Sequence, residues 1–351
     1  MKYLYGVLFL LIVGTLTSIL IPGPIDSVAY IPPPPPKFTG VLAPNETLKK
    51  TELLAKGLLI GPEDVDVDEK GRIYGGTQNG KIIRILQDGT VETFAQTGGR
   101  PLGLHFDRQG NLIVCDAWKG LLSVNAQGVI TTLSTEAEGA PFFLTNDLDI
   151  DAEGIIYFSD ASHKFRQPEY KLDLMEAKPH GRFMSHDPKT GETRVLLKDL
   201  YFANGVALSK NEDFVLINET YRYRIIRYWL KGEKAGAHEV FADNLPGFPD
   251  GISSNRKGVF WLAIPAPRNA IADTLHPMPF LKDLLAKLPE FLLPKAESYG
   301  LVLALNEQGD IIESLHDADG AHATEITSVQ EHDGYLYLGN LHRDWVGRLK
   351  L

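Results

Sequence analysis

Sulfur is scarce in this chain: a single cysteine, Cys115, stands among 351 residues. One cysteine makes neither an intramolecular disulfide nor a cysteine-based zinc cluster, so the fold must rest on buried apolar surface. A 44% hydrophobic composition supplies enough of it. Cys115 itself is expected to be a small buried hydrophobe, not a thiol catalyst. Positive charge is also short, with 35 Lys and Arg against 45 Asp and Glu and no basic tract. A net charge of -10 repels a phosphate backbone, which excludes nucleic acid as the expected partner. No G-x-S-x-G sequence appears, which argues against serine-esterase chemistry.

Charge is missing altogether from Tyr3 to Ile25. The run YLYGVLFLLIVGTLTSILI is long enough to cross a bilayer as a helix, and no small-x-small cleavage site precedes Pro22 and Pro24. Residues 1–26 are therefore expected to form a retained transmembrane anchor, with a cleaved signal as the alternative. Lys2 on the short side favours an extracytoplasmic body. Residues 27–45 read as a linker whose Pro32–Pro36 run forms a stiff polyproline spacer. Residues 46–351 make the folded body.

In that body one phrase recurs six times: an alternating apolar run, a turn carrying Asp or Asn with Gly, and a second run of β-branched and aromatic residues. The copies are EDVDVDEKGRIYGG from Glu63, LGLHFDRQGNLIVCD from Leu102, NDLDIDAEGIIYFSD from Asn146, NGVALSKNEDFVLIN from Asn204, DGISSNRKGVFWLAI from Asp250 and ITSVQEHDGYLYLGN from Ile326. Each reads as a β-hairpin, and short strands such as KIIRIL and GLLSVN between them bring the count to about four strands per unit. The expected fold is an all-β, six-bladed propeller; a β-solenoid is the alternative. Two stretches are longer than the repeat needs. Ser162 to His180 reads as a polar surface loop over one end of the central channel. Pro265 to Ser298, containing MPFLKDLLAKLPEFLLP, reads as a helical insertion between blades 5 and 6, either packed on the rim or serving as a lid over an apolar pocket or the membrane surface.

Aligning the copies on their turn positions, Gly71, Gly110, Gly154, Glu212, Gly258 and Gly334, brings Glu63, Leu102, Asn146, Asn204, Asp250 and Ile326 into one phase. Residues of equal phase converge on a propeller axis, and four of these six offer a side-chain oxygen. Two carboxylates and two amide oxygens, without sulfur or imidazole, form a hard set suited to Ca2+. A four-ligand protein set leaves positions for water or substrate, as a catalytic metal requires. Asp64 and Asp147, next in sequence to two of the ligands, are candidates for a second, structural ion, or else solvated strand-start residues.

At these residues the sequence resembles the six-bladed propeller superfamily of gluconolactonase and regucalcin, diisopropylfluorophosphatase, paraoxonase and the strictosidine-synthase-like proteins. GRPLGL with CDAWKGLLSV, DLMEAKPHGRF, FANGVALS, LPGFPDGI, SLHDADG and EHDGYLYLGNL resemble most the strictosidine-synthase-like membrane branch typified by adipocyte plasma membrane-associated protein, over nearly everything from Gly40 to Leu351. The resemblance implies that Glu63, Asn146, Asn204 and Asp250 are calcium ligands. It implies calcium-dependent hydrolysis of an apolar lactone or ester, with Asp250 as a candidate base or nucleophile and His163 as a candidate pocket histidine. His105 lies in a different phrase from the family's catalytic histidines. Two departures stand out: the family's paired cysteines are absent, and Glu325 is out of register with the last-blade glutamate of strictosidine-forming members, so that condensation is not expected. A membrane-anchored binding propeller with a purely structural calcium is the alternative from another class. Asn45 and Asn218, each followed by Glu-Thr, fit the glycosylation pattern.

Overall fold

The computed structural model describes residues 22–289, 292–293 and 296–351. Six four-stranded antiparallel sheets follow one another in chain order around a ring, as the six hairpin copies require. Their innermost strands are Val65–Val67, Pro101–Phe106, Thr145–Ile150, Ala203–Leu208, Ile252–Ser254 and Ile326–His332. Blade 6 takes its outermost strand from the start of the body: Glu52–Leu54 pairs with Val346–Lys350, joining Glu52 to Arg348 and Leu54 to Val346. The ring thus closes with a strand from each end of the domain.

The hairpin turns have a common chemistry. Asp68 accepts from the N–H groups of Lys70 and Arg72, Asp107 from Gln109 and Asn111, and Asp151 from Glu153 and Ile155, each at 2.7–3.0 Å. All six turn positions used to align the copies have positive φ, from +55° at Glu212 to +102° at Gly258. Glycine holds that conformation at little cost, which is why it marks five of the six.

Strands of both faces are buried because each blade packs between two neighbours. In the second strand of blade 5, Phe260, Leu262 and Ile264 enter the core shared with blade 4, while Trp261 and Ala263 enter the core shared with blade 6. Four further cores fill the remaining blade interfaces. Cys115 is wholly buried in the one between blades 2 and 3, and burial pushes its thiol up, as befits an inert core residue.

Both insertions lie within blades, between the second and third strands. The helical one belongs to blade 5, whose second strand ends at Ile264 and third begins at Gly300; it does not lie between blades 5 and 6 as expected. The hairpin repeat ends with the second strand, so sequence alone assigned to the gap what belongs to the blade. This insertion forms helix α2 (Ala270–Leu275), capped by the Asn269 side chain on Ile271 N and Ala272 N, and helix α3 (Pro279–Leu285), opened by its proline. The blade 3 insertion, expected as a loop, carries helix α1 (Tyr170–Glu176), numbered first in chain order.

Residues 27–36 are no free spacer. Val28 N donates to Glu176 O and Tyr30 N to His276 O, while Arg268 and Asn244 donate to the carbonyls of Pro33 and Pro34. Polyproline leaves its carbonyls unpaired, so they are open to the body's donors. The segment is a strap joining both insertions. Residues 1–21 of the expected anchor (1–26) lie outside the described residues, Ile25 near its end is buried against Phe165 and Ala286, and among the described residues no helix is long and apolar enough to cross a membrane.

Candidate metal and active site

Four of the six ring positions, Leu102, Asn146, Asn204 and Ile326, lie at or beside register shifts of the inner strands, whereas Glu63 and Asp250 precede strands that pair without one. Shifts fall between Pro101 and Leu104, Thr145 and Leu148, Ala203 and Val206, and Ile326 and Ser328. An extra residue at such a bulge re-aims the side chains beside it. Glu63, Asn146 and Asn204 are 7, 5 and 4% exposed, and Asp250 is half-buried. Asn204 Nδ2 donates to Asp250 Oδ1 at 2.5 Å and to Thr220 Oγ1 at 3.2 Å.

The backbone under these side chains is fixed from neighbouring blades. Thr327 Oγ1 donates to Glu63 O at 2.6 Å, Thr220 Oγ1 to Pro249 O at 2.7 Å, and Asn218 Nδ2 to Asp250 O at 2.5 Å. Sequence reasoning assigned no role to these hydroxyls or to this amide. Asn218 is fully buried, so its glycosylation pattern is not available in the folded chain. Asn45 is also engaged, donating to Ser314 O and accepting from Thr47 N and His316 N.

Burial raises Glu63 well above the usual carboxylate range, and Asp250 and Asp64 push it further up, against a downward pull from Arg100. Burial pushes Asp250 up to about 7, although the Asn204 amide opposes the rise. Negative charge is thus crowded into the channel mouth. Among the described residues no three His, Cys, Asp or Glu side chains form a metal-holding group. Asn204 is bonded to Asp250 and Asp250 acts on Glu63, while Asn146 joins them by strand phase alone; by type the four are two carboxylates and two amides, hard oxygen donors. That donor chemistry, in a site where burial and then neighbouring carboxylates raise the acids, fits a calcium-like cation.

Asp64 and Asp147 point one step further down the channel and are used differently. Asp64 accepts from Val65 N and from Leu104 N of blade 2; Asp147 accepts from Leu148 N and from Val206 N of blade 4. Each therefore stitches two inner strands together. Two residues on, Asp66 reaches Phe106 N and Asp149 reaches Leu208 N in the same manner. His105 sits between this lower pair, Nδ1 3.0 Å from Asp66 and Nε2 3.9 Å from Asp149, and Arg256 is 2.7 Å from Asp149. A cavity of about 50 Å³ here is lined by Asp64, His105, Asp147, Asp149 and Arg256 among others. The signal for this floor was present in sequence: DVDVD and DLDID place aspartates on one face of each strand.

The ring's rim also carries both insertions. Thr145 pairs with Asp160, and Asp250 N bonds Ala263 O, so the loops after Asp160 and Ile264 leave from the ring's own end of the channel. Over it lies an apolar roof of Leu102, Leu144, Phe202 and Tyr221, with Tyr170 and Leu174 of α1 packed against it. Tyr221 donates from its hydroxyl to Tyr170 O at 2.8 Å. His163 is not brought to the ring: its Nδ1 faces His180 O at 2.8 Å, and it lines a separate pocket of about 420 Å³ with Phe143, Arg182 and Lys198. Glu325 is tied by His342 and Arg343, each at 3.1 Å, and its carboxyl is held below its usual range, chiefly by the His342 hydrogen bond.

Comparison with known proteins agrees with this architecture. Residues 146–233 match the family model described as strictosidine synthase, and residues 40–85 match strictosidine synthase-like, N-terminal. Adipocyte plasma membrane-associated protein of Bos taurus is 38% identical, over 95% of this chain and 86% of that one. Protein STRICTOSIDINE SYNTHASE-LIKE 6 of Arabidopsis thaliana is 37% identical, over 93% of this chain and 86% of its own length. Among solved structures, a gluconolactonase from Xanthomonas campestris has a TM-score of 0.64 at 17% identity, covering 94% of this chain and 99% of that one. A calcium-binding protein, regucalcin, from Agrobacterium tumefaciens has a TM-score of 0.56 at 14% identity, covering 83% and 90%. These structures share the fold, and the sequence relatives settle the kinship: the chain belongs to the strictosidine-synthase-like family that includes the adipocyte plasma membrane-associated proteins.

Proposed function

We propose that the protein is a calcium-dependent hydrolase of lactones or esters. The observation that supports this reading is a hard oxygen set, Glu63, Asn146, Asn204 and Asp250, at one phase of four inner strands beneath an apolar roof. Calcium held by those four residues would polarise a substrate carbonyl as a Lewis acid. Asp250, oriented by the Asn204 amide and kept ionised by a bound cation, is suited to take a proton from an attacking water. Leu102, Leu144 and Phe202 limit water and favour an apolar acyl or lactone ring. His163 has no part in this reading, since its partners lie in the side pocket. Strictosidine-type condensation is not proposed, because Glu325 is committed to His342 and Arg343.

The test is turnover of a panel of aryl esters and lactones by the purified protein, with calcium, with chelator and with Asp250→Ala. Calcium-dependent hydrolysis that the variant loses supports the proposal. The low exposure of Glu63, Asn146 and Asn204 also suits a membrane-anchored binding propeller with a structural calcium. A rise in Tm with calcium and no turnover on any substrate would favour that second reading and sink the first.

A further inference from the structure

Helix α3 is amphipathic the wrong way round for a helix facing water. The side chain it buries is a lysine, Lys282, 2% exposed with Nζ on Val28 O at 2.7 Å, while Phe280 is 61% and Leu281 38% exposed. A water-facing helix hides its apolar stripe and shows its charge. Apolar exposure continues along the insertion through Ile271 at 57%, Met278 at 43%, Leu288 at 40% and Leu292 at 56%. These six account for much of the large apolar exposure among the described residues, gathered on one short stretch of chain.

The course of the strap identifies what covers this ridge. Ser27 is bound to α3 through its N–H on Asp283 Oδ1 at 3.1 Å and its Oγ on Pro279 O at 3.0 Å. Further back, a Cβ built on Gly23 would lie 3.1 Å from Lys287 Cε, so the chain still runs along α3 and its C-terminal flank at that point. Ile21, the last residue of the apolar run YLYGVLFLLIVGTLTSILI, is two residues before Gly23 in sequence, at most about 7 Å of chain. The longest apolar run in the sequence therefore ends close to a stretch that carries six exposed large apolar side chains.

We propose that this ridge docks on a lipid bilayer, with Phe280 and Leu288 inserted at the interface next to the N-terminal run. The body is then held at two points, and the rim that carries the ring faces the membrane. An apolar substrate would reach the roof from the lipid. The proposal does not depend on the hydrolase reading, since it concerns only the outer surface of the insertion.

Cys115 is fully buried, so a nitroxide can be attached selectively at Phe280→Cys, at Leu288→Cys, or at Val129→Cys as control. Val129 is 59% exposed and lies in the turn after Gly120–Val124, at the opposite end of the channel from the ring. The full chain is reconstituted in phosphatidylcholine vesicles, and collisions with oxygen and with a water-soluble nickel chelate are measured. At positions 280 and 288 the oxygen-to-nickel ratio should exceed that at 129 by about tenfold or more. Nickel access at 280 equal to that at 129 would show a water-facing ridge and overturn the proposal. Exclusion of both reagents would overturn it too, by showing a protein surface there, whether a second copy or the chain's own N-terminal run.

Discussion

The imidazole of His105 offers a pH test of the channel floor. Burial alone would lower its pKa, but the carboxylates of Asp66 and Asp149 outweigh burial and raise it from 6.5 to about 9, while Arg256 opposes them. A shift of about 2.5 units corresponds to about 3 kcal/mol, and because 32% of the side chain remains exposed, solvent screening reduces this to about 2 kcal/mol. The folded pKa lies above the unfolded one. The stabilisation is therefore complete below about pH 6.5 and is lost as pH rises through 9. His105→Gln keeps a side chain of similar reach without the titrating charge. Urea denaturation of both proteins at pH 6, 7.5 and 9.5, with calcium held constant, should show the wild type ahead by about 2 kcal/mol at pH 6 and nearly level with the variant at 9.5. A difference that stays constant with pH, or grows towards the alkaline end, would refute the ion-pair account of the floor.

Burial lowers Lys282 to about 8, with Arg222 adding to the effect, so its ammonium destabilises the fold most at pH 8 and below, and this cost is relieved as pH rises towards 10.5. Lys282→Met should be more stable than wild type by about 1–2 kcal/mol at pH 7 and lose that advantage by pH 10, as denaturation curves at the two pH values will show. A Cβ on Gly339 would come 2.3 Å from Glu63 O, which is backbone and cannot swing aside. Gly339→Ala should therefore cost about 3 kcal/mol and weaken calcium binding together with it, by thermal melting and calorimetric titration. Removing the Tyr221 hydroxyl deletes its hydrogen bond to Tyr170 O and loosens α1; at about 1 kcal/mol, Tyr221→Phe should speed tryptic cleavage between Lys164 and Lys171 about fivefold with little change in Tm.

Much of this architecture is legible in the sequence because it depends on local chemistry repeated six times. The turns announce themselves through a position with positive φ in all six and, in four, an Asp or Asn that accepts two N–H groups, so blade count and phase follow from spacing alone. The four oxygen residues follow from that phase. What stays hidden is non-local. Nothing in Pro32–Pro36 says that Arg268, more than 200 residues on, donates to Pro33 O. Likewise His163 looks like a ring neighbour because it follows a strand that ends at the rim, yet the loop carries its ring to the His180 carbonyl. Linear proximity to a rim fixes the height of a residue in a propeller but not the direction it faces. The strand bulges beside four of the six ring positions have no sequence mark either, since an extra residue shows only against a partner strand.

The charges along the channel are compensated differently on the floor and at the ring, which bears on the proposal that a cation sits at the ring. Six carboxylates approach the axis: Glu63, Asp64, Asp66, Asp147, Asp149 and Asp250. Against them stand Arg100, which acts on Glu63, with His105 and Arg256 lower down. The floor is largely satisfied, since Asp66 and Asp149 each take two N–H groups as well as a cationic neighbour. At the ring, the one amide on the Asp250 carboxylate among the described residues is that of Asn204, and Arg100 gives Nη1 to the carbonyls of Gly61 and Gly76 without a hydrogen bond to either ring carboxylate. The uncompensated negative charge is thus concentrated at the mouth, where burial raises the proton affinity of both acids, Asp250 raises that of Glu63 further, and Asp64 adds to both. A divalent cation placed there removes that repulsion and brings the channel close to neutrality, whereas one on the floor would have to compete with His105 and Arg256 for carboxylates that are already engaged.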